Sequence, residues 1–202
     1  VAPDGARAVA IDGQRLTYQQ KGASATTITV AQIVGAAGRG GVVHEALGMR
    51  EAASTYSRMA GLLLHDVELP EEGFGHVFLG GPGPVLAYRI DDDTVRMCLD
   101  VPHSMPVSRN REAVLWEAFR PVLPRHMHRS FESALVDGSI SWAANQNRPR
   151  LTFGREGLVM VGDAVGHHHP LTAIGMTLGF KDGLALARAK SFAQYRAERL
   201  RD

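Results

Sequence analysis

Apolar and polar residues alternate over residues 7–11 and again over 14–18, and the Asp12-Gly13 pair between these stretches predicts a β-hairpin. Residues 28–49 read ITVAQIVGAAGRGGVVHEALGM, a pattern that predicts a strand, a glycine-rich turn and a helix. Val85, Ala87, Tyr88 and Ile90, followed by Val95, Met97, Leu99 and Val101, predict two strands joined by the Asp91-Asp92-Asp93 turn. The proline-bearing stretch 102–124 predicts a connecting loop with a short helix around 112–119. Leu158, Val159, Met160 and Val161 form a short apolar run suited to a buried strand. Beyond it, Met176, Leu178, Phe180, Leu184, Leu186 and Ala187 recur at roughly helical spacing, which predicts a helix starting near residues 172–175. A charged terminal helix follows over 188–201.

The junction between that last strand and helix concentrates the candidate chemistry. Gly162-Asp163 ends the strand with a turn-prone pair and leaves a carboxylate at its tip. A helix N-terminus then follows a His-rich loop, and its free N–H groups and dipole favour an electron-rich group. Gly175 lets a ligand approach the main chain there, while a carboxylate accepts hydrogen bonds from ligand hydroxyls.

Gly162-Asp163 with His169, Pro170, Leu171, Thr172, Gly175, Met176, Thr177, Lys181 and Asp182 resembles the second flavin-binding motif of the FAD-dependent monooxygenases, in its squalene epoxidase-like branch. The resemblance implies an α/β FAD/NAD(P)-binding flavoprotein monooxygenase fold, incomplete here, with a substrate-domain β-sheet. It implies that Asp163, flanked by Gly162 and Ala164, holds the ribityl hydroxyls of FAD. It also implies that Pro170, Leu171, Gly175, Met176 and Thr177 pack against the flavin ring. Ala173 and Ile174 depart from the run of glycines frequent in that branch.

Residues 28–49 resemble the family's other motif, the Asp-Gly segment that contacts FAD and the nicotinamide cofactor. Ala37 stands where an aspartate is usual, Gly41 where a serine is usual and His44 where an arginine is usual. A carboxylate and a guanidinium are thereby lost from the site. Phosphates and ribose are then left to the main chain and Arg39, or binding here is weak. The segment 61–102 resembles the substrate-domain sheet, which in the family roofs the flavin. The expected domains are residues 1–50 as part of the FAD-binding domain, 51–150 as the substrate-domain sheet with connecting helices, and 151–202 as a return to the FAD-binding domain.

No GxGxxG follows a strand anywhere in the 202 residues, so the fingerprint that seats a pyrophosphate on a helix is missing. The chain reads as an internal piece of a longer enzyme, and a complementary segment carrying that fingerprint is an expected partner.

The balance of 22 basic and 21 acidic residues gives no footing for nucleic acid. No apolar run reaches spanning length, so a cytoplasmic protein is expected, with the arginines of 188–201 solvated or touching a membrane peripherally. Cys98 alone rules out an internal disulfide and reads as a buried structural thiol. His167, His168 and His169 lack Cys or carboxylate partners at ligand spacing, so no metal is expected.

No nucleophile, paired catalytic acids or phosphate loop stands out, and no catalytic side chain is assigned. The cofactor is expected to carry the chemistry. The resemblance implies epoxidation or hydroxylation of a lipophilic alkene or aromatic substrate by dioxygen through a flavin hydroperoxide, with NADPH or a reductase as electron source. The alternatives are a truncated or degenerate flavoprotein fragment without turnover, or a related flavin-dependent halogenase or isoprenoid reductase.

Overall fold

The computed structural model describes residues 5–49, 54–107, 110–137 and 139–201. In chain order its elements are β1 (Ala6–Asp12), β2 (Arg15–Gln20), β3 (Thr26–Thr29), β4 (Ile33–Gly35), α1 (Val42–Ala46), β5 (Ser54–His65), β6 (His76–Phe78), β7 (Val85–Arg89) and β8 (Thr94–Pro102). There follow α2 (Arg111–Phe119), α3 (His128–Val136), β9 (Ser141–Asn147), β10 (Gly154–Arg155), β11 (Leu158–Met160), α4 (Gly175–Arg188) and α5 (Phe192–Arg199). The chain divides into two units, Val1–Ser54 with Asn147–Asp202, and Thr55–Gln146.

In the first unit β1, β2 and β3 form an antiparallel sheet around the Asp12-Gly13 turn. A second sheet, in the order β10-β11-β4, pairs β11 with β4 in parallel, Val159 opposite Val34. All three residues of β11 are buried, as expected of a parallel strand covered on both faces. Gly35 decides how closely α1 can lie on this sheet, because a Cβ there would stand 2.7 Å from Val43 Cγ1. Phe153, Leu158, Val159, Met160, Ala164, Ala185 and Tyr195 form the core of this unit. The Tyr195 hydroxyl donates to Met160 O at 2.7 Å, and burial first, then the Asp182 charge, pushes the phenol pKa well up.

The second unit is a five-stranded sheet, β6-β7-β8-β5-β9, with two helices on one face. The Asp91-Asp92-Asp93 turn joins β7 to β8, and Asp91 Oδ1 accepts from the Thr94 N–H at 2.8 Å. Alternate residues of the long β5/β8 ladder, Ala60, Leu62 and Leu64 with Val95, Met97, Leu99 and Val101, are buried together. Leu115 and Phe119 of α2 and Phe131 and Leu135 of α3 complete this core, where the Trp116 ring stacks on Phe131 at 5.6 Å.

The sequence reading missed β5, α3 and β9. Leu62 and Leu64 point into the core while Leu63 is exposed, so an apolar run without visible alternation conceals a one-sided strand. Cys98 is half-buried rather than buried, because it belongs to the face opposite the core, opposite Gly61 and Leu86 on the flanking strands.

Candidate functional site

The site is built within the first unit, where β11 runs out beside β4. Val161 donates its N–H to Gly35 O, and the chain then enters a 3-10 turn over Gly162–Ala164. Gly162 takes φ +63°, a conformation glycine adopts at little cost. This turn presents the Asp163 carboxylate, which is about two-fifths exposed, with Oδ2 3.7 Å from Arg39 Nε. An exposed pair at that distance contributes little to stability. A Cβ on Gly175, the first residue of α4, would lie 3.8 Å from Asp163 Oδ1, so the carboxylate adjoins the start of that helix. No side chain caps α4, and its leading N–H groups lack intrahelical acceptors.

Below Asp163 opens a cleft of about 350 Å³ lined by Ala36, Gly38, Val161, Gly162, Asp163, Met176, Gly179 and Phe180. Three of these are glycines, leaving main chain exposed, and most of the others are apolar. A flat apolar ring carrying a hydroxylated chain matches that lining, the chain meeting the carboxylate and the ring meeting the apolar wall. The orphaned buried nitrogens of His167, beside the same turn, fit a ligand as well.

Of the expected binding residues, Gly162, Asp163 and Met176 line the cleft, and Arg39 and Gly175 adjoin Asp163. Ala164 is buried behind the turn and contributes its carbonyl to the interior. Pro170 and Leu171 form a separate 3-10 turn whose start is capped by the His169 side chain, Nδ1 accepting from the Leu171 N–H, and they do not line the cleft. Thr177 is exposed on α4.

Met176, Phe180 and Leu184, whose spacing predicted this helix, are exposed by 77%, 73% and 56%, because α4 turns Asp182 and Ala185 inward. His44, standing where an arginine is usual, has the guanidinium of Arg148 beside it. Arg148 places Nη2 2.7 Å from His44 Nε2 and donates to Ala164 O at 2.7 Å, so its guanidinium holds the turn that carries Asp163.

Asp182 is the residue whose part the sequence reading did not foresee. It is fully buried and accepts from the Gly162 N–H at 2.7 Å, from Arg150 Nη2 at 2.5 Å and from Arg199 Nε at 2.8 Å. Arg150 Nη1 donates to Gly162 O and Gly166 O. One carboxylate therefore ties α4, α5 and the turn together. Arg199, expected on a solvated tail, is buried for this reason. A carboxylate on the inward face of an apolar helix was the available signal, since such a group is retained only with partners.

His167 is buried, and its pKa is lowered, first by that burial and next by the Arg39 charge, with Arg148 adding and Asp163 opposing. Among the described residues no group of three or more His, Cys, Asp or Glu side chains is placed to hold a metal ion. None of the described helices is long and apolar enough to cross a membrane.

A family model described as squalene epoxidase matches residues 44–195. Squalene epoxidase erg1 of Aspergillus fumigatus is 35% identical over 134 residues, which are 64% of this chain and 28% of that protein. The chain spans about a quarter of the length of the curated relatives it matches. Among solved structures, pqsL from Pseudomonas aeruginosa, a probable FAD-dependent monooxygenase, superposes with TM-score 0.74 at 18% identity, covering 96% of this chain and 58% of the other. CmlS, a flavin-dependent halogenase, gives 0.70 at 19% identity, covering 90% and 35%. At these identities the likeness shows a shared α/β fold.

Proposed function

Because the chain belongs to the squalene epoxidase family, we propose that it forms part of an FAD-dependent monooxygenase that oxygenates a lipophilic alkene or aromatic substrate with dioxygen. The observation that carries this reading is the Asp163 carboxylate on the rim of an apolar, glycine-backed cleft at the start of α4. When bound, FAD supplies the redox and oxygen-transfer chemistry, with NADPH or a reductase as the electron source. Asp163 accepts hydrogen bonds from the ribityl hydroxyls, with Arg39 Nε 3.7 Å from its Oδ2. Val161, Met176 and Phe180 shield the ring from water, and the uncapped N–H groups of α4 favour negative charge on it.

The 202 residues contain no GxGxxG strand-to-helix turn to seat the pyrophosphate, and Ala37 offers no carboxylate. The reading therefore includes a complementary segment that carries this seat, and FAD retention by this chain is weak. A cytoplasmic setting with peripheral membrane contact completes it.

Flavin titration followed by fluorescence and NMR tests the reading. Binding in the wild-type chain, weakened roughly tenfold or more in Asp163→Ala as hydrogen bonds to a charged acceptor are lost, is the expected result. Equal binding by both proteins, or tight stoichiometric FAD retention by the 202 residues, counts against it.

A further inference from the structure

His167 is 3% exposed, and neither of its ring nitrogens has a hydrogen-bond partner among the described residues. Its main chain is bridged to Arg148 in both directions, N–H to O at 3.0 Å and O from N–H at 2.9 Å, which fixes where the side chain leaves the backbone. The Asp163 main chain lies close enough to influence the ring without meeting either nitrogen in hydrogen-bond geometry. The charged groups acting on the ring are Arg39, Asp163 and Arg148. His44, hydrogen-bonded to the same Arg148, likewise leaves its buried Nδ1 without a partner.

A buried imidazole with two unused nitrogens is costly, so such a group implies a partner. Its surroundings define that partner. The Arg39 and Arg148 guanidinium groups acting on the ring disfavour a cation there and favour an electron-rich oxygen. A neutral imidazole donates from one nitrogen and accepts at the other, which suits a polyol hydroxyl or a phosphate oxygen.

We propose that His167 is a binding residue of the Asp163 cleft, its ring hydrogen-bonded to a ribityl or phosphate oxygen of the flavin nucleotide. This assignment rests on the flavin reading above. The neutral ring contributes a donor without adding a third cation beside Arg39 and Arg148.

The test is a titration of the 202-residue chain with riboflavin, FMN and FAD, in wild type, His167→Phe, His167→Asn and Asp163→Ala, with 15N-histidine NMR of the wild type. His167→Phe keeps a ring of similar shape and removes both nitrogens, so its melting temperature should equal or exceed that of wild type. Its flavin affinity should nevertheless fall roughly tenfold, the loss of one hydrogen bond to the ligand, with His167→Asn intermediate. The His167 ring 15N resonances should move on flavin addition, a result that needs no substitution. A loss common to all three flavins assigns the oxygen to the ribityl chain, and a loss confined to FMN and FAD assigns it to phosphate. Unchanged affinity in both His167 variants, with unmoved ring resonances, overturns the assignment while Asp163→Ala still weakens binding and the flavin reading stands. A wild type that binds none of the three flavins, or binds them equally after Asp163→Ala, overturns the flavin reading and this assignment with it.

Discussion

Protonation of His167 would put a third positive charge near Arg39 and Arg148, with Asp163 in opposition, and would do so out of contact with water. The sign of the consequence follows from linkage. The folded-state pKa is lowered, so in the window between it and the ordinary histidine value of about 6.5 the unfolded chain holds more protons than the folded one. Stability therefore rises with pH across that window. The contribution is fully present above about pH 6.5 and is lost as pH falls toward the folded-state value. Thermal melts at pH 7.5, 6.5 and 5.5, values chosen to straddle that pKa, should show wild type losing more stability on acidification than His167→Phe. Parallel losses in the two proteins would place the acid sensitivity on other histidines. At this scale the chain was partly legible. Asp163 at a strand tip could be read from its neighbours, whereas His167 was read only as a loop histidine outside the motif that takes in His169. Its distinction arises from the bridge to Arg148, a contact that local sequence does not encode.

At the scale of elements, hairpins and strand-to-helix junctions were readable because their causes are local. Asp12-Gly13 and the Asp91 turn fix their flanking strands through backbone preference and a single side-chain acceptor. The orientation of α4 was not readable, since periodicity cannot distinguish a stripe that faces a core from one that lines a cleft. What orients α4 is Asp182, which binds two arginines from outside its own helix and the Gly162 N–H. Asp182→Asn keeps the volume and removes the charge, leaving Arg150 and Arg199, with side chains 11% and 3% exposed, short of their counter-charge. Breaking a buried network in this way costs about 3–5 kcal/mol, so the urea midpoint should fall substantially. Flavin affinity should fall too, because the Gly162 turn that presents Asp163 loses its anchor. A stability loss below about 1 kcal/mol, the range of exposed ion pairs, would show that the network is solvated in solution.

For the molecule as a whole, a division near residues 50 and 150 was expected from the family resemblance, but the cores emerge only from long-range pairing. β4 meets β11 across more than a hundred residues, and that pairing returns the chain after 147 to the unit it left at 54. Each unit closes a core of its own: Ala60 through Leu135 in one, and Ile33, Val43 and Phe153 through Tyr195 in the other. A substitution in one core should therefore act first on that unit. Phe131 is fully buried between α2 and the sheet, and Phe131→Ala removes a large apolar surface there for about 3–5 kcal/mol. Hydrogen exchange read by mass spectrometry should show faster exchange in peptides from 55–146, while peptides spanning β4, β11 and α4 keep wild-type protection. Local opening within one unit leaves amides of the other guarded by their own core. Equal acceleration in both sets of peptides would mean that the two cores unfold as a single cooperative body.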